Sequence, residues 1–190
     1  MSTSNSDSLP VRAETPAPGE VIPSHYRWCF GCGADHETGL HLMVIAGEGL
    51  TVTVTFQVTD HHQGAPGLAH GGLLTTAMDE VLGSLNWLLA APAVTGRLTC
   101  EFRRPVPVGS TLFITAEVTG QQGRRVFGSA VARLDSPAGQ IAVSAESVFV
   151  QVPIDHFLNN GAQEQVEQAL HDRASGGPSW RPGTSVEINP

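Results

Sequence analysis

The sequence predicts an α+β fold in which an antiparallel β-sheet of about six strands wraps around one long central helix. Residues 71–90 have the length and apolar spacing of a helix, and apolar residues occupy its other faces as well. Strand-like segments precede and follow this helix, separated by short turn signals such as VGS, GQQG and DSPAG. One helix cannot form a layer of its own, so the economical arrangement is a sheet curled around it.

The strand-like segments lie on both sides of the helix in the chain. Val52, Val54 and Phe56 alternate with threonines, which is typical of a half-buried strand. We predict strands at 39–46, 51–58, 97–107, 111–120, 124–134 and 140–152, the last four in hairpin succession. The buried stripe of the helix is predicted to contain Leu74, Met78, Val81, Leu82, Leu85 and Leu89.

The composition divides the chain into three parts. Residues 1–24 are rich in Ser, Thr, Pro and Glu without a hydrophobic period, which predicts a disordered arm. The folded domain is expected to span residues 25–155. Residues 156–190 are predicted to hold one short helix at 163–172 and a flexible tail that carries Trp180.

The charge and hydropathy patterns argue against several classes of function. The formal net charge is -8 and all 10 basic residues are arginines, so the chain lacks the basic face that general nucleic-acid binding needs. No apolar run approaches the roughly 20 residues of a membrane span, and the first residues do not have the pattern of a secretion signal. Three cysteines, an odd number, give no disulfide framework. We therefore expect a cytoplasmic protein.

The start of the central helix is the first candidate for chemistry. His70-Gly71-Gly72 opens the helix, and glycines there leave the first backbone N–H groups uncovered, with partial positive charge from the helix dipole. A carbonyl oxygen placed at this point would be polarised, and an oxyanion formed by attack on it would be held by fixed donors. The alternative is that the two glycines only allow the helix start to pack against the sheet.

A carboxylate within the apolar helix is the second candidate. Asp79 would carry a large desolvation cost if it were buried without partners, so its presence indicates a function. Glu80 competes with it, because neighbouring helical positions point about 100° apart and only one can face a given cleft. Alternatively, both carboxylates lie on a solvated strip with Thr76 and Ser84.

These two candidates are too far apart to act together within one helix. Gly71 and Asp79 are separated by about 12 Å along the helix axis, at roughly 1.5 Å per residue. An antiparallel copy of the helix would place Asp79 of one protomer near Gly71 of the other. The chemistry therefore predicts an oligomer, of which a two-fold dimer is the simplest form.

The segment HGG, with Asp79 nine positions after His70, resembles the PaaI-type and 4-hydroxybenzoyl-CoA-type hotdog thioesterases. Further matching segments are CFGCG (29–33), GL (39–40), QGAPG (63–67) and T-x-x-L-x-x-x-F-x-R-P-V-P-x-G (95–109). The resemblance covers roughly residues 25–152, within a branch that includes a human thioesterase superfamily member acting on long-chain acyl-CoA. It implies a hotdog fold and the hydrolysis of an acyl thioester to free acid and coenzyme A.

The same resemblance implies roles for individual residues. Asp79 would be the nucleophile or the general base, and Gly71 would supply the N–H of an oxyanion hole. Thr95 would hold or orient the attacking water, and His70 would shape the site at the helix start. The residues implied to contact the thioester end of the substrate are Gln63, Gly64 and Gly72.

Arginines are candidates for binding the phosphates of coenzyme A, because a guanidinium binds phosphate bidentately. We predict Arg103 and Arg104 in this role, with Arg124 and Arg125 as further candidates. The alternative is that all four are solvent-facing strand residues. Trp87 is expected in the core or along the acyl group.

The pair Cys29 and Cys32, with His25 and His36 nearby, offers the donor types of a zinc site. A single CxxC is a weak indication, and in the family that the chain resembles this segment is a structural entry loop. We therefore predict no metal, and no cofactor apart from the coenzyme A of the substrate. Cys100 is expected in the core.

Two other functions fit the same fold. Hotdog dehydratases and hydratases pair a histidine with an acidic residue across the dimer, but their usual sequence signatures are absent here. A non-catalytic acyl-CoA-binding protein is the other alternative, since fold does not fix function. The main prediction is a thioesterase of fatty acid metabolism that acts on acyl-CoA or an acyl-carrier thioester, as a homodimer or a dimer of dimers.

Overall fold

The computed structural model describes residues 15–174 of the chain. The remainder of the predicted arm and tail, including Trp180, lies outside the described residues. The strands are β1 (Ile45–Ala46), β2 (Thr51–Gln57), β3 (Gln63–Ala65), β4 (Leu68–Ala69), β5 (Ala93–Phe102), β6 (Thr111–Gln122), β7 (Arg125–Leu134) and β8 (Ile141–Gln151). The helices are α1 (Gly71–Leu88), α2 (Ile154–Asn160) and α3 (Gln163–Ala174), with a 3-10 turn at Asp60–His62.

Six of these strands form one antiparallel sheet in the order β1-β2-β6-β7-β8-β5, and β3 pairs with β4 in a separate small hairpin. The helix α1 packs on the large sheet and contacts β2, β5, β6, β7 and β8. The predicted α+β hotdog architecture is therefore confirmed. Strand β5 lies at one edge of the sheet and pairs only with β8 among the described strands.

The central helix is held to the sheet by its apolar stripe, and every residue predicted for that stripe is buried. Val52, Val54 and Phe56 of β2 are buried as well, while the threonines between them are partly or fully exposed. Gly128 of β7 allows close packing, because a Cβ there would lie 3.1 Å from Leu82 Cδ2 and 3.2 Å from Leu85 Cδ1. The alternating apolar residues of β2 and the apolar stripe of α1 are therefore buried in the same core.

Leu82 provides a test of this packing. Its side chain has 0% exposure, and truncating a buried leucine costs about 2–5 kcal/mol because apolar contacts are lost and a cavity remains. We expect Leu82→Ala to lower the free energy of unfolding by that amount in urea titrations. Leu73→Ala, on the partly buried side of the same helix, should cost clearly less. Equal losses would contradict the assigned orientation of α1.

Two predicted strands have different bounds in the structure. Segment 39–46 is a strand only at its end, because Leu40 N–H and Leu42 N–H donate to Phe30 and Gly31 instead of to a neighbouring strand. The segment predicted at 97–107 begins earlier, at Ala93, and ends at Phe102. It ends there because the next two N–H groups both donate to the carbonyl of Ala142, and the prolines that follow have no N–H to give.

The chain ends also differ from expectation where they are described. Residues 15–24 were predicted to be part of a disordered arm, but Ile22 is 5% exposed and its N–H donates to Val44. The helix predicted at 163–172 is observed as α3. The preceding helix α2 was not predicted, because its seven residues are too few to show a period. Among residues 15–174, no helix is both long and apolar enough to cross a membrane.

Candidate active site

His70 determines which donor is open at the start of α1. It is the N-cap residue, with φ -71° and ψ 130°, and its Nδ1 accepts a hydrogen bond of 2.9 Å from Gly72 N–H. Within residues 15–174, Gly71 N–H donates to no protein acceptor. Gly71 N–H is therefore the candidate donor at the helix start, since His70 already accepts the hydrogen bond of Gly72 N–H; its contact with a substrate remains a prediction.

The loop before the helix packs tightly against His70. A Cβ on Gly64 would lie 2.7 Å from His70 Cα, so only glycine allows the loop to approach this closely. Gln63 Oε1 accepts a hydrogen bond of 2.7 Å from Gly67 N–H, and Gln63 Nε2 donates to Asp60. Both residues thus support the helix start through the loop. Their contact with a substrate, like that of Gly72, remains a prediction.

Asp79 and Thr95, predicted from separate segments, are brought together. Thr95 in β5 donates a hydrogen bond of 3.0 Å from its Oγ1 to Asp79 Oδ1. Asp79 is half-buried, and this burial raises the pKa of its carboxyl above the usual range, opposed by the hydrogen bond from Thr95 and reinforced by the charge of Cys29. A carboxylate with a fixed hydroxyl partner and incomplete hydration has the properties of a nucleophile or a base.

This pair opens on a cavity of about 600 Å³ between α1, β5 and the two C-terminal helices. Its walls are largely apolar and include Trp87, Val94, Phe149, Ile154, Phe157, Val166 and Leu170. Trp87 is also 8% exposed, so it belongs to the core as well. Sequence reasoning missed the contribution of α2 and α3, although the spacing of Val166 and Leu170, four residues apart, could have indicated a buried face.

Asn86 is a polar exception in that cavity. Its side chain is 4% exposed, and its Nδ2 donates to the carbonyl of Gly83. Its Oδ1 has no hydrogen-bond partner among residues 15–174. Nothing in the sequence pattern selects this residue, because an asparagine near a helix end is ordinarily a surface residue.

Glu80 lines the same cavity as Asp79, but its carboxylate contacts other side chains. Its Oε2 lies 3.3 Å from Cys29 Sγ, its Oε1 lies 3.8 Å from His25 Nδ1, and its side chain is 12% exposed. Burial raises the pKa of Glu80 to about 7. The charge of His25 acts to lower this pKa, and that of Cys29 acts to raise it. The alternative that both carboxylates lie on a solvated strip does not match these positions.

The two cysteines of the CFGCG segment are part of that neighbourhood. A hydrogen bond from Cys32 lowers the pKa of the Cys29 thiol to about 3, assisted by His25 and opposed by burial. The same interaction raises the pKa of Cys32. Cys29 is therefore the more acidic of the two thiols, and it lies close to Asp79 and Glu80. The sequence pattern grouped Cys29 and Cys32 with His25 and His36 as possible metal ligands, but not with Glu80, because Glu80 is about fifty residues away in the chain.

The remaining predicted residues lie away from this pair. Gly71 is eight residues from Asp79 on the same helix, about 12 Å along its axis, so one chain does not bring them together. Arg103 is exposed and binds Glu101 Oε2 at 2.6 Å and Ser144 Oγ at 3.0 Å. Arg104 is exposed on the turn after β5. Their role in phosphate binding remains a prediction.

Comparison with known proteins identifies the family that the chain resembles. Residues 66–138 match the family model of the thioesterase superfamily. The acyl-coenzyme A thioesterase THEM4 of Xenopus laevis is 29% identical over 97 residues, which are 51% of this chain and 43% of that protein. A crystal structure of a thioesterase superfamily protein has a TM-score of 0.62 and 26% identity, covering 72% of this chain and 70% of that chain.

A further solved structure, a Streptococcus mutans protein bound to acetyl-CoA, has a TM-score of 0.54 and 21% identity, covering 58% of this chain and 88% of that chain. At this identity the likeness shows the fold. The predicted resemblance to hotdog thioesterases is thus confirmed. The chain spans less than half the length of the acyl-coenzyme A thioesterases that it matches.

Proposed function

Because residues 66–138 match the thioesterase superfamily, we propose that this protein hydrolyses an acyl thioester of coenzyme A to the free acid and coenzyme A. The observation that carries the proposal is the hydrogen bond between Thr95 and Asp79 at an apolar cavity. The relatives named acyl-coenzyme A thioesterases and the neighbour bound to acetyl-CoA support this substrate class. An acyl-carrier thioester presents the same reacting group.

The chemistry has two routes that use the same residues. In one, Asp79 attacks the thioester carbonyl, coenzyme A leaves as a thiolate, and water then hydrolyses the mixed anhydride. In the other, Asp79 takes a proton from a water held with Thr95, and that water attacks the carbonyl. In both routes the thiolate leaves and is protonated, and the carbonyl oxygen becomes an oxyanion that Gly71 N–H stabilises.

The proposed site is formed between two copies of the chain. Asp79 of one protomer acts on a thioester whose carbonyl binds at Gly71 of its partner, since the two groups are too far apart on one helix. Edge strand β5 and the 53% exposed Phe102 beside Gly71 support an interface on this side. Long open edges are a liability unless they are paired or covered. A dimer satisfies the geometry, and a dimer of dimers repeats it.

The apolar walls of the cavity support binding of the acyl group there. A cavity of about 600 Å³ lies within the range of ligand pockets, about 300–1,000 Å³. The phosphates of coenzyme A would meet Arg103 or Arg104 on the turn after β5.

Three free cysteines, none in a disulfide among the described residues, support a reducing cytoplasm. Fatty acid metabolism is the corresponding biological context.

A panel of acyl-CoA substrates tests the proposal. Release of free thiol should be measured for short, long and aromatic acyl groups, and crotonyl-CoA hydration should be measured in parallel. We expect thiol release for at least one class, with no hydration. Hydration without thiol release would identify a hydratase. Bound acyl-CoA without any turnover would identify a binding protein and contradict the proposal.

Thr95 is expected to assist Asp79. Replacing it by valine removes the hydroxyl but keeps the shape, and hydrogen bonds to charged groups are worth about 1.5–3 kcal/mol. We therefore expect Thr95→Val to lower kcat by about 10-fold to 100-fold. Thr99→Val, an exposed position on the same strand, is the matched control. Equal kcat values in the two variants would remove Thr95 from the mechanism.

A further inference from the structure

Four metal-binding side chains meet where the segment before β1 contacts α1. His25, Cys29, Cys32 and Glu80 each offer one donor atom, and all four atoms lie within 4.8 Å of one another. Cys29 Sγ lies 3.3 Å from Glu80 Oε2, and Cys32 Sγ lies 3.4 Å from His25 Nδ1. His25 Nδ1 to Glu80 Oε1 is 3.8 Å.

These separations are close to those of ligands around one metal ion. With zinc bonds of about 2.3 Å to sulfur and about 2.0–2.2 Å to nitrogen or oxygen, tetrahedral ligands lie about 3.4–3.8 Å apart. The Cys29–Glu80 and Cys32–His25 separations are about 0.1–0.2 Å shorter than a tetrahedral edge between sulfur and oxygen or nitrogen, and the His25 separation is to the other oxygen of Glu80. All four donor atoms lie within 4.8 Å of one another, so small side-chain movements would bring them to the ligand distances of one ion. The donors come from two distant parts of the sequence, so their convergence is a property of the fold and not of the CxxC motif alone.

Hydrogen bonds and close packing hold the two cysteine sulfur atoms in place within this loop. Gly31 N–H donates to Cys29 Sγ at 3.3 Å, and Ser24 Oγ lies 3.2 Å from Cys32 Sγ. Outer hydrogen bonds of this kind orient metal ligands and stabilise their charge. A Cβ on Gly33 would lie 2.5 Å from Cys29 N, and one on Gly31 would overlap the Glu80 carboxylate. Both glycines of the segment are therefore required by this close approach.

We propose that His25, Cys29, Cys32 and Glu80 bind one zinc ion that ties the segment before β1 to the central helix. Two thiolates, one imidazole and one carboxylate suit zinc among the common divalent ions. Four protein ligands complete the tetrahedron, so the role is structural. On binding, each thiol that still carries a proton releases it to solvent. This assignment replaces the prediction of no metal, and it does not depend on the proposed thioesterase activity.

Zinc content of the full-length protein tests the assignment. After dialysis, the wild-type chain is expected to retain about one zinc ion per chain by mass spectrometry of the metal. Cys29→Ser and Cys32→Ser should each lose most of it. Cys100→Ser is the matched control, because Cys100 is also part-buried but lies outside the cluster; it should retain zinc.

A cobalt titration keeps the test independent of how well the variants fold. Wild-type protein stripped with a chelator should bind Co²⁺ with the visible absorption of a tetrahedral site and the near-ultraviolet band of thiolate bonds. Addition of Zn²⁺ should displace the cobalt and raise the unfolding temperature. The proposal is overturned if the wild-type protein neither retains zinc nor gives these bands, if it binds another metal preferentially, or if the two serine variants bind as much zinc as Cys100→Ser.

Discussion

Asp79→Asn is expected to lower kcat for thiol release by about 10²-fold to 10⁴-fold, the usual contribution of a catalytic acid or base. The amide keeps the shape of the side chain and an oxygen that can accept the Thr95 hydrogen bond. It cannot attack a carbonyl effectively or accept a proton from water. The measurement is steady-state kinetics on the best substrate of the panel, with the circular dichroism spectrum and oligomeric state as checks on folding.

Glu80 provides the comparison for this prediction. Glu80→Ala should cost much less activity, because its carboxylate faces His25 and Cys29 and not Thr95. Its main effect should be on the segment before β1 and so on stability. If both substitutions abolished thiol release to the same extent in folded protein, the assignment of Asp79 as the reacting carboxylate would be wrong.

Gly71→Pro should lower kcat by about 10²-fold to 10³-fold, the typical cost of removing one oxyanion-hole donor. Gly71 is the first residue of α1, where proline is tolerated because the N–H has no partner within the helix. His70 already has the extended backbone, with ψ 130°, that a following proline requires. The substitution therefore removes the donor while preserving the helix.

Gly71→Ala is the matched control, because it adds a side chain but keeps the N–H. Its Cβ would lie 3.5 Å from Phe102 Cζ, an ordinary contact, so the alanine variant should retain most of its activity. Similar losses in the alanine and proline variants would show that bulk, and not the donor, is responsible.

Mixing the two inactive variants tests the arrangement between protomers. A mixed dimer of Asp79→Asn and Gly71→Pro chains contains one site with both defects and one site with neither. Co-refolded mixtures should therefore recover about a quarter of the wild-type activity, if subunits pair at random. A mixture no more active than its components would place both groups in a site within one chain.

The sequence predicted those elements whose apolar residues recur at a regular spacing. Alternation in β2 and the helical stripe of α1 identify buried faces, because burial on one face imposes the spacing. The Asp79 and Thr95 pair was predicted through resemblance, since nothing local links positions sixteen residues apart on a helix and a strand. The contacts of Glu80 with Cys29 and His25 could not be predicted from the sequence. They depend on tertiary folding, which brings the segment before β1 against α1.

The ends of the domain were harder to predict for a related reason. Residues 15–24 have no period, yet Ile22 packs in the core and the segment shares three backbone hydrogen bonds with residues 44–46. One buried side chain and backbone hydrogen bonds leave no repeating pattern in the sequence. Helix α2 is too short to show a helical period in the sequence. Pro153 at its N-cap position is nevertheless a recognised helix boundary.

The position of β8 in the sheet limits how this chain can be shortened. β8 lies between β7 and β5 and is hydrogen-bonded to both, but it falls beyond residue 138, where the family match ends. A fragment cut to the matched residues would lose β1 and β2 at one end and leave β5 without its only described neighbour at the other. The smallest autonomously folding unit is thus expected to be considerably longer than the stretch that matches the superfamily model.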